Sequence, residues 1–203
     1  MEPEFTHLHF HTHYSLLDSA IKIKGLGPHL NELGYDSCAI TDHGNLHGVI
    51  EFHDEMLKAG IKPIIGMEAY VAKIDRFHRN YPTPGPNAYH TVLICENIEG
   101  YKNLIKLSSM GYSEGKYYGK PRIDHELLEK YNTGLIALSA CLQGEIARRL
   151  REGNPEGARR NAKWYSEVFP GRYYIELQSN GISDQAVVNP QLIEIAKEYD
   201  IPL

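Results

Sequence analysis

Four histidines alternate with other residues in the segment 7–13, whose sequence is HLHFHTH. Residues two apart on a β-strand point to the same side, so on a predicted strand over 6–11 these imidazoles would share one face. Buried imidazoles need polar partners, and imidazole is a good ligand for zinc, manganese and iron. The pattern therefore favours a metal site, to which Asp18 could add a carboxylate. A solvated edge strand or a tag-like tract is the alternative.

A second group of polar residues is the segment 41–44, with the sequence Thr-Asp-His-Gly. It lies where a predicted buried strand over 37–41 gives way to a predicted helix over 46–59. Such junctions are where α/β proteins build their sites. His43 could bind a metal, while Asp42 could bind one or orient a ligand. The alternative is a helix-capping residue beside an incidental histidine.

Three further residues with metal-binding groups lie on or beside predicted strands. Glu68 lies inside the apolar segment 62–72, where an unpaired carboxylate would be costly. His90 comes directly before the next predicted strand, and Cys141 directly follows a predicted strand over 134–140. Taken singly, His90 could be an ordinary strand-edge residue and Cys141 a small buried apolar one. Because the ends of parallel strands meet at one edge of a sheet, these side chains can nevertheless converge.

The elements that must position these residues alternate between strands and helices along the whole chain. This order predicts a parallel α/β protein, either a closed barrel or an open sheet. Residues 201–203 are expected to begin one more strand, which suggests a piece of a longer polypeptide. The predicted strands cover 6–11, 37–41, 62–72, 91–95, 134–140 and 173–177, the predicted helices cover 21–33, 46–59, 101–110, 123–131, 154–169 and 184–199, and a long loop covers 73–89.

Length and composition narrow the class of protein. The 203 residues suffice for one domain, and their net charge of −5 argues against a free-standing nucleic-acid binder. Bound divalent cations could reverse the local field in a pocket, so the charge does not argue against a metal site. No apolar run of roughly 18 residues is present, and the acidic start over residues 1–4 does not resemble a signal peptide. Three widely spaced cysteines suit a reducing compartment, so we expect a cytoplasmic protein without a membrane partner.

The metal-binding residues, taken in order, resemble the ligand series of the PHP family of phosphoesterases. Other segments resemble, more narrowly, the PHP domain of bacterial DNA polymerase III alpha subunits, and the likeness covers essentially the whole chain. It implies a distorted (β/α)7 barrel, truncated here before its last strand, in a PHP metal-dependent phosphoesterase domain over residues 1–203. That domain would be the N-terminal part of a longer polymerase chain. The segments that carry the narrower resemblance are 14–18, 41–46, 60–66, 68–72, 121–124 and 134–139.

The resemblance also implies the roles of individual residues around two or three divalent ions. A water bound to the metals would be the nucleophile, Asp42 would orient a ligand, and a thiolate among the ligands favours zinc, with manganese or iron also possible. The family's last two ligands, an aspartate and a histidine, are expected on a strand after Leu203. His13 and Ser19 depart from the family pattern, which often has an acid and a glycine there. The implied ligands are His9, His11, Asp18, His43, Glu68, His90 and Cys141.

The expected function is divalent-metal-dependent phosphodiester hydrolysis, as a 3′–5′ exonuclease that supports proofreading during DNA replication. The parent protein would be a nucleotidyltransferase, with DNA, the rest of the polymerase chain, a separate proofreading exonuclease subunit and other replisome subunits as partners. Arg76, His78 and Arg79 in the long loop could contact substrate phosphates, although a solvated loop would also explain them. Two other functions stay open: a small-molecule phosphoesterase resembling histidinol-phosphate phosphatase, and a structural, metal-stabilised module that docks the exonuclease subunit.

Overall fold

The computed structural model describes residues 5–203, so the acidic start over residues 1–4 lies outside the described residues. Among the described residues, no helix is both long enough and apolar enough to cross a membrane. The strands are β1 (Ser37–Ile40), β2 (Lys62–Ala72), β3 (Ala88–Cys95), β4 (Arg122–Ile123), β5 (Leu135–Leu138) and β6 (Tyr173–Tyr174). The helices are α1 (Leu26–Glu32), α2 (Val49–Lys58), α3 (Ile98–Ser113), α4 (His125–Tyr131), α5 (Glu145–Arg151), α6 (Pro155–Val168) and α7 (Ser183–Glu198).

Local sequence signals determine where several helices begin and end. Asn154 precedes α6 and accepts a hydrogen bond from the Gly157 backbone N at 2.9 Å, as expected of a helix cap. Gly34 follows α1 with φ +81, in the left-handed conformation that glycine adopts without steric cost. Helix α1 begins later than predicted, because the preceding chain turns back and the Ile21 carbonyl accepts a hydrogen bond from His13 N.

The predicted strand over 6–11 is wrong in its extent. This segment lies parallel to β1, but only His7 forms a β-bridge, with Cys38. Farther along, Thr41 N donates to Phe10 O at 2.8 Å, but Phe10 N donates to the Thr41 side chain, with Oγ1 at 2.7 Å, and not to a backbone carbonyl. The segment is therefore fixed beside β1 without being a regular strand.

The sheet contains six strands among the described residues, is not closed, and has the order β1-β2-β3-β5-β6 with β4 beside β2. The α/β class is confirmed, but the prediction of an all-parallel sheet is wrong. Strand β3 runs antiparallel to both β2 and β5, whereas the β1–β2, β2–β4 and β5–β6 pairs are parallel. The physical reason is that a loop, and not a helix, joins β2 to β3. Neighbouring strands without a crossover helix pair as an antiparallel hairpin, here closed by Ala72 opposite Ala88.

One face of the sheet carries most of the apolar core. Helices α3 to α7 pack there around buried side chains such as Leu93, Leu107 and Phe169, while α1 and α2 pack with β1 around Phe52. The opposite face is apolar too, and with its surroundings it lines an open groove of about 1400 Å³. One end of that groove reaches His9, at the edge of the sheet where the polar side chains gather.

Candidate metal centre

Glu68 lies at the centre of a cluster of imidazoles. Its side chain is only 1% exposed, and it projects from the long strand β2. The distances are 2.5 Å from His43 Nδ1 to Oε2, 2.9 Å from His90 Nδ1 to Oε1, 3.2 Å from His9 Nε2 to Oε1 and 3.5 Å from His11 Nε2 to Oε2. One carboxylate thus faces four histidines that come from three separate parts of the chain.

The backbone explains why these residues meet. Past the end of β1, His43 forms a parallel bridge to Glu68, and Gly44 N donates to the Glu68 carbonyl at 2.8 Å. His90 is paired with Tyr70, two residues beyond Glu68. Because β3 is antiparallel, the start of β3 lies at the same edge of the sheet as the end of β2.

Asp18 and Cys141 complete the cluster from two more segments. Asp18 Oδ2 lies 2.8 Å from His43 Nε2, on the more exposed side of the site. Cys141 Sγ lies 3.9 Å from both Glu68 Oε1 and His90 Nδ1. The residue before the cysteine, Ala140, has φ +60, in the left-handed region that residues other than glycine rarely adopt. All seven implied ligands therefore come together, although their binding of a metal stays a prediction.

Two charge shifts dominate the electrostatics of the cluster. Burial disfavours the charged form of Glu68, but three histidines outweigh burial and hold the pKa of this carboxyl well below its usual value. Burial also disfavours the charged form of His9, yet Glu176 and Glu68 raise the pKa of this imidazole to about 10. Without a bound cation, protons therefore supply the positive charge that the carboxylates need.

Three other ionisable groups of the cluster have pKa values that are shifted in different directions. Burial lowers the pKa of His11 despite the nearby Glu68 carboxylate. Burial opposes the charged form of His43, but Glu68 and Asp18 raise its pKa. Burial and then the Glu68 charge raise the pKa of the Cys141 thiol to about 11. A thiolate at this position therefore needs a cation beside it.

The residues fit a divalent metal. His43 Nδ1 and Glu68 Oε2 are buried and lie 2.5 Å apart, and neither atom has a further hydrogen-bond partner among the described residues. With the imidazole deprotonated, both atoms would present lone pairs, and a cation would satisfy them. Imidazole nitrogens, carboxylate oxygens and one sulfur make a donor set suited to zinc, manganese or iron. Within residues 5–203, three sets of donor atoms are close enough to hold an ion: His9, His11 and Glu68; His11, Asp18 and His43; His43, Glu68 and His90.

Asp42 faces away from the imidazoles and holds the loop that follows the first histidines. Its buried carboxylate accepts hydrogen bonds from Thr12 N and Thr12 Oγ1, each at 2.7 Å, and from Ser15 Oγ at 2.6 Å. Ser15 Oγ also accepts from His43 N at 3.1 Å and lies 3.2 Å from His11 Nδ1. These contacts support the predicted orienting role of Asp42. The sequence analysis assigned no role to Thr12 and Ser15. The available signal was that both carry hydroxyl groups and closely follow His11.

The structure separates the histidines of the first segment into two groups. His9 and His11 face Glu68, whereas His7 packs against Tyr35 and Phe5, and His13 packs against Tyr14. The prediction that all four project together is wrong, because the segment turns after His11 and is not a regular strand. Another carboxylate was missed: Glu176 follows β6, and its Oε1 lies 2.8 Å from His9 Nδ1. A carboxylate at the end of a predicted strand was the available signal.

The three loop residues expected to contact phosphates have partners within the protein. Arg76 is buried and forms ion pairs with Asp124, Glu114 and Glu126, which outweigh burial and raise its pKa. His78 Nε2 lies 2.8 Å from Asn80 O, and Arg79 donates to the carbonyls of Arg76 and Glu114. These contacts favour a structural role for Arg76, and phosphate contact by the three residues stays a prediction.

Comparison with known proteins places this geometry in a family. The PHP domain family matches residues 7–180. The chain is 47% identical over 199 residues to a DNA polymerase III subunit alpha of Borreliella burgdorferi, covering 98% of this chain and 17% of that protein. It is 47% identical over 208 residues to the same subunit of Aquifex aeolicus, covering 100% of this chain and 18% of that protein. The chain thus spans less than a fifth of the length of these relatives.

A solved structure shows the same fold at low sequence identity. It is a crystal structure from Bifidobacterium adolescentis, of a protein assigned as a metal-dependent phosphoesterase. The two chains are 12% identical and superpose with a TM-score of 0.57, over 99% of this chain and 86% of the other. The family match over residues 7–180 and the 47% identity to the polymerase subunits over nearly the whole chain show the family. The chain belongs to the PHP domain family.

Proposed function

We propose that this chain is a metal-dependent phosphodiesterase domain that removes nucleotides from DNA 3′ ends within a DNA polymerase III alpha subunit. The observation that carries the proposal is the convergence of seven donor side chains on one edge of the sheet, around a buried carboxylate. Several such donors at a partly open edge suit two or three ions, with zinc, manganese or iron as candidates. The proposed ligands are His9, His11, Asp18, His43, Glu68, His90 and Cys141.

In such a reaction the protein would place negative charge beside the metal ions and keep the ligand-bearing loop in position. When bound, the metal ions would lower the pKa of a water and neutralise charge on the phosphate and the leaving oxygen. Glu68 supplies a buried negative charge that no solvent screens, and Asp42 fixes the loop that carries His11. Asp18 is more than half exposed, so it lies where a substrate could approach. No separate general base is needed in this scheme.

The proposed partners follow from the longer relatives. We infer that the chain acts with the rest of a polymerase polypeptide and with DNA, in the cytoplasm. The nucleotidyltransferase activity of the parent protein would belong to residues other than these. Contacts with a proofreading exonuclease subunit and other replisome subunits are part of the same proposal.

The test compares His43→Ala with His53→Ala in protein purified free of any separate exonuclease. His43 contacts both Glu68 and Asp18, whereas His53 is an exposed histidine on α2 that pairs with Asp54 and lies outside the cluster. Metal content and degradation of a DNA primer with a mismatched 3′ terminus are measured for each. We expect His43→Ala to lose metal and at least about 100-fold in rate, and His53→Ala to behave as the parent. Undiminished degradation by His43→Ala refutes the proposal.

A structural role is the second candidate, and the position of Glu68 favours it. The cluster ties together the first segment, β2 and β3, so a bound metal would stabilise the fold even without catalysis. Loss of metal and of stability in His43→Ala, with no nuclease activity in either protein, supports a metal-stabilised docking module instead. Hydrolysis of a small phosphate monoester but not of DNA supports the third possibility, a phosphatase resembling the histidinol-phosphate enzymes.

A further inference from the structure

Glu176 makes a contact with the metal centre that the implied ligand series does not include. Its side chain is 14% exposed, and Oε1 lies 2.8 Å from His9 Nδ1. The opposite ring nitrogen, His9 Nε2, lies 3.2 Å from Glu68 Oε1. His9 is therefore held between two carboxylates, one on each side of its ring.

The contact determines which nitrogen of His9 carries a proton when the imidazole is neutral. Ionised carboxylates only accept hydrogen bonds, and Glu176 Oε1 is the closer of the two, at 2.8 Å against 3.2 Å for Glu68 Oε1. Glu68 Oε1 also contacts His90 Nδ1 at 2.9 Å, so the neutral His9 ring donates Nδ1–H to Glu176. The lone pair of the neutral ring is then on Nε2, which faces Glu68 and the other imidazoles. Histidines that bind metals through one nitrogen commonly donate the other N–H to a carboxylate, which fixes the ring and increases its basicity.

Glu176 is itself held in place from several directions. Its backbone N donates to Ser139 Oγ at 2.9 Å, and Gln178 Nε2 donates to Oε1 at 2.6 Å. The Gln178 carbonyl in turn accepts from Asn189 Nδ2 on α7 at 2.8 Å. The second carboxylate oxygen, Oε2, is buried and has no hydrogen-bond partner among the described residues. A buried carboxylate that uses only one oxygen carries a cost, which contact with His9 offsets.

We propose that Glu176 is a positioning residue that sets the tautomer and orientation of His9 for metal binding through Nε2. The proposal rests on the proposed metal centre, but not on any particular reaction there. Glu176 does not bind the metal in this scheme. Its effect is transmitted through the His9 ring alone.

The test measures zinc affinity and the His9 tautomer in Glu176→Ala and Glu176→Gln. Zinc dissociation constants come from competition with a chromophoric chelator. In the zinc-bound protein, ¹H–¹⁵N correlations of the labelled imidazole report which nitrogen carries the proton. We expect Glu176→Ala to weaken zinc binding by about 10- to 100-fold and to lose the Nδ1–H preference. The amide oxygen of Glu176→Gln can accept the same hydrogen bond, so this variant should recover most of the affinity and keep the tautomer.

Glu145→Ala is the matched control. Glu145 is also a buried carboxylate in contact with a histidine, with Oε2 2.9 Å from His125 Nε2, but it contacts none of the implied ligands through its side chain. We expect its zinc affinity to stay within about twofold of the parent. Urea unfolding in the presence of chelator shows whether each variant is folded, and Glu176→Gln carries the test if Glu176→Ala is not.

The outcomes separate this inference from the proposed function. Parent-like affinity and tautomer in Glu176→Ala overturn the inference, as does an equal loss of affinity in Glu145→Ala. If the parent binds zinc and Glu176→Ala weakens it, the inference holds even when no DNA is degraded. If the parent binds none of zinc, manganese and iron, both the inference and the proposed metal centre fail.

Discussion

Replacing Asp42 with alanine should damage both the stability of the protein and its metal centre. The carboxylate is 1% exposed and accepts three hydrogen bonds, two from Thr12 and one from Ser15. Hydrogen bonds to charged groups contribute about 1.5 kcal/mol each at the lower end of their range, so three of them amount to about 4–5 kcal/mol. Alanine would also leave three buried donors without an acceptor. We expect Asp42→Ala to reduce the free energy of unfolding by about 4–5 kcal/mol.

Asp42→Asn is the informative companion. Its amide oxygen can still accept from Thr12 N and Ser15 Oγ, and the Thr12 hydroxyl can turn to accept from the amide nitrogen. Neutral hydrogen bonds are roughly half as strong as charge-assisted ones, so the expected loss is about 2 kcal/mol. Asp54→Ala, which removes an exposed carboxylate on α2, is the control and should be nearly neutral.

Urea unfolding in the presence of chelator measures these losses, and zinc titration measures the effect on the site. Because Ser15 contacts both His11 and His43 N, the loop should shift and zinc affinity should fall in Asp42→Ala. A loss of less than about 1 kcal/mol together with unchanged zinc affinity refutes the reasoning. It would mean that the loop keeps its position without the carboxylate.

Two further predictions concern the charge on His9 and the burial of Arg122. In chelator-treated protein, protonated His9 should stabilise the fold fully below its ordinary pKa of 6.5, and this stabilisation should disappear as the pH rises through about 10. Urea unfolding measured across that pH range checks the prediction. A free energy of unfolding that rises over the range contradicts it. Zinc must displace the same proton, so zinc affinity should increase with pH in this window. Arg122→Lys should reduce the free energy of unfolding by about 2 kcal/mol and expose the loop over 73–87 to protease. The buried guanidinium donates to the carbonyls of His78, Pro86 and Gly115, and lysine cannot make the same set of hydrogen bonds. A protease-resistant loop would show that other contacts hold it.

The sequence was most informative where residue type and local position act together. Glu68 inside an apolar strand could be recognised because burial of a lone carboxylate is costly, and the histidines of 41–44 and 7–13 because imidazoles need partners. The caps of α1 and α6 followed from Gly34 and Asn154. Each of these signals depends on residues that are close together in the sequence, so it can be recognised without knowing the fold.

The rest depends on contacts between distant segments. The reversal of β3 could not be inferred, because the alternation of strands and helices does not reveal the direction in which a loop returns the chain. Glu176 was missed for the same reason: its partner His9 lies 167 positions away in sequence. The ion pairs of Arg76 could not be read from the sequence either, because its partners Glu114, Asp124 and Glu126 lie just after α3 or at the start of α4.

The loop between β2 and β3 has an anchored base and an open tip. Arg122 binds carbonyls on both of its arms, at His78 and Pro86, while residues 82–84 at the tip are exposed. Where the loop joins the strands, Ala72 pairs with Ala88, and the paired strands β2 and β3 continue from there toward the metal centre. Insertions at the tip would therefore leave the hairpin register unchanged. Evolution could vary the length of this loop independently of the site.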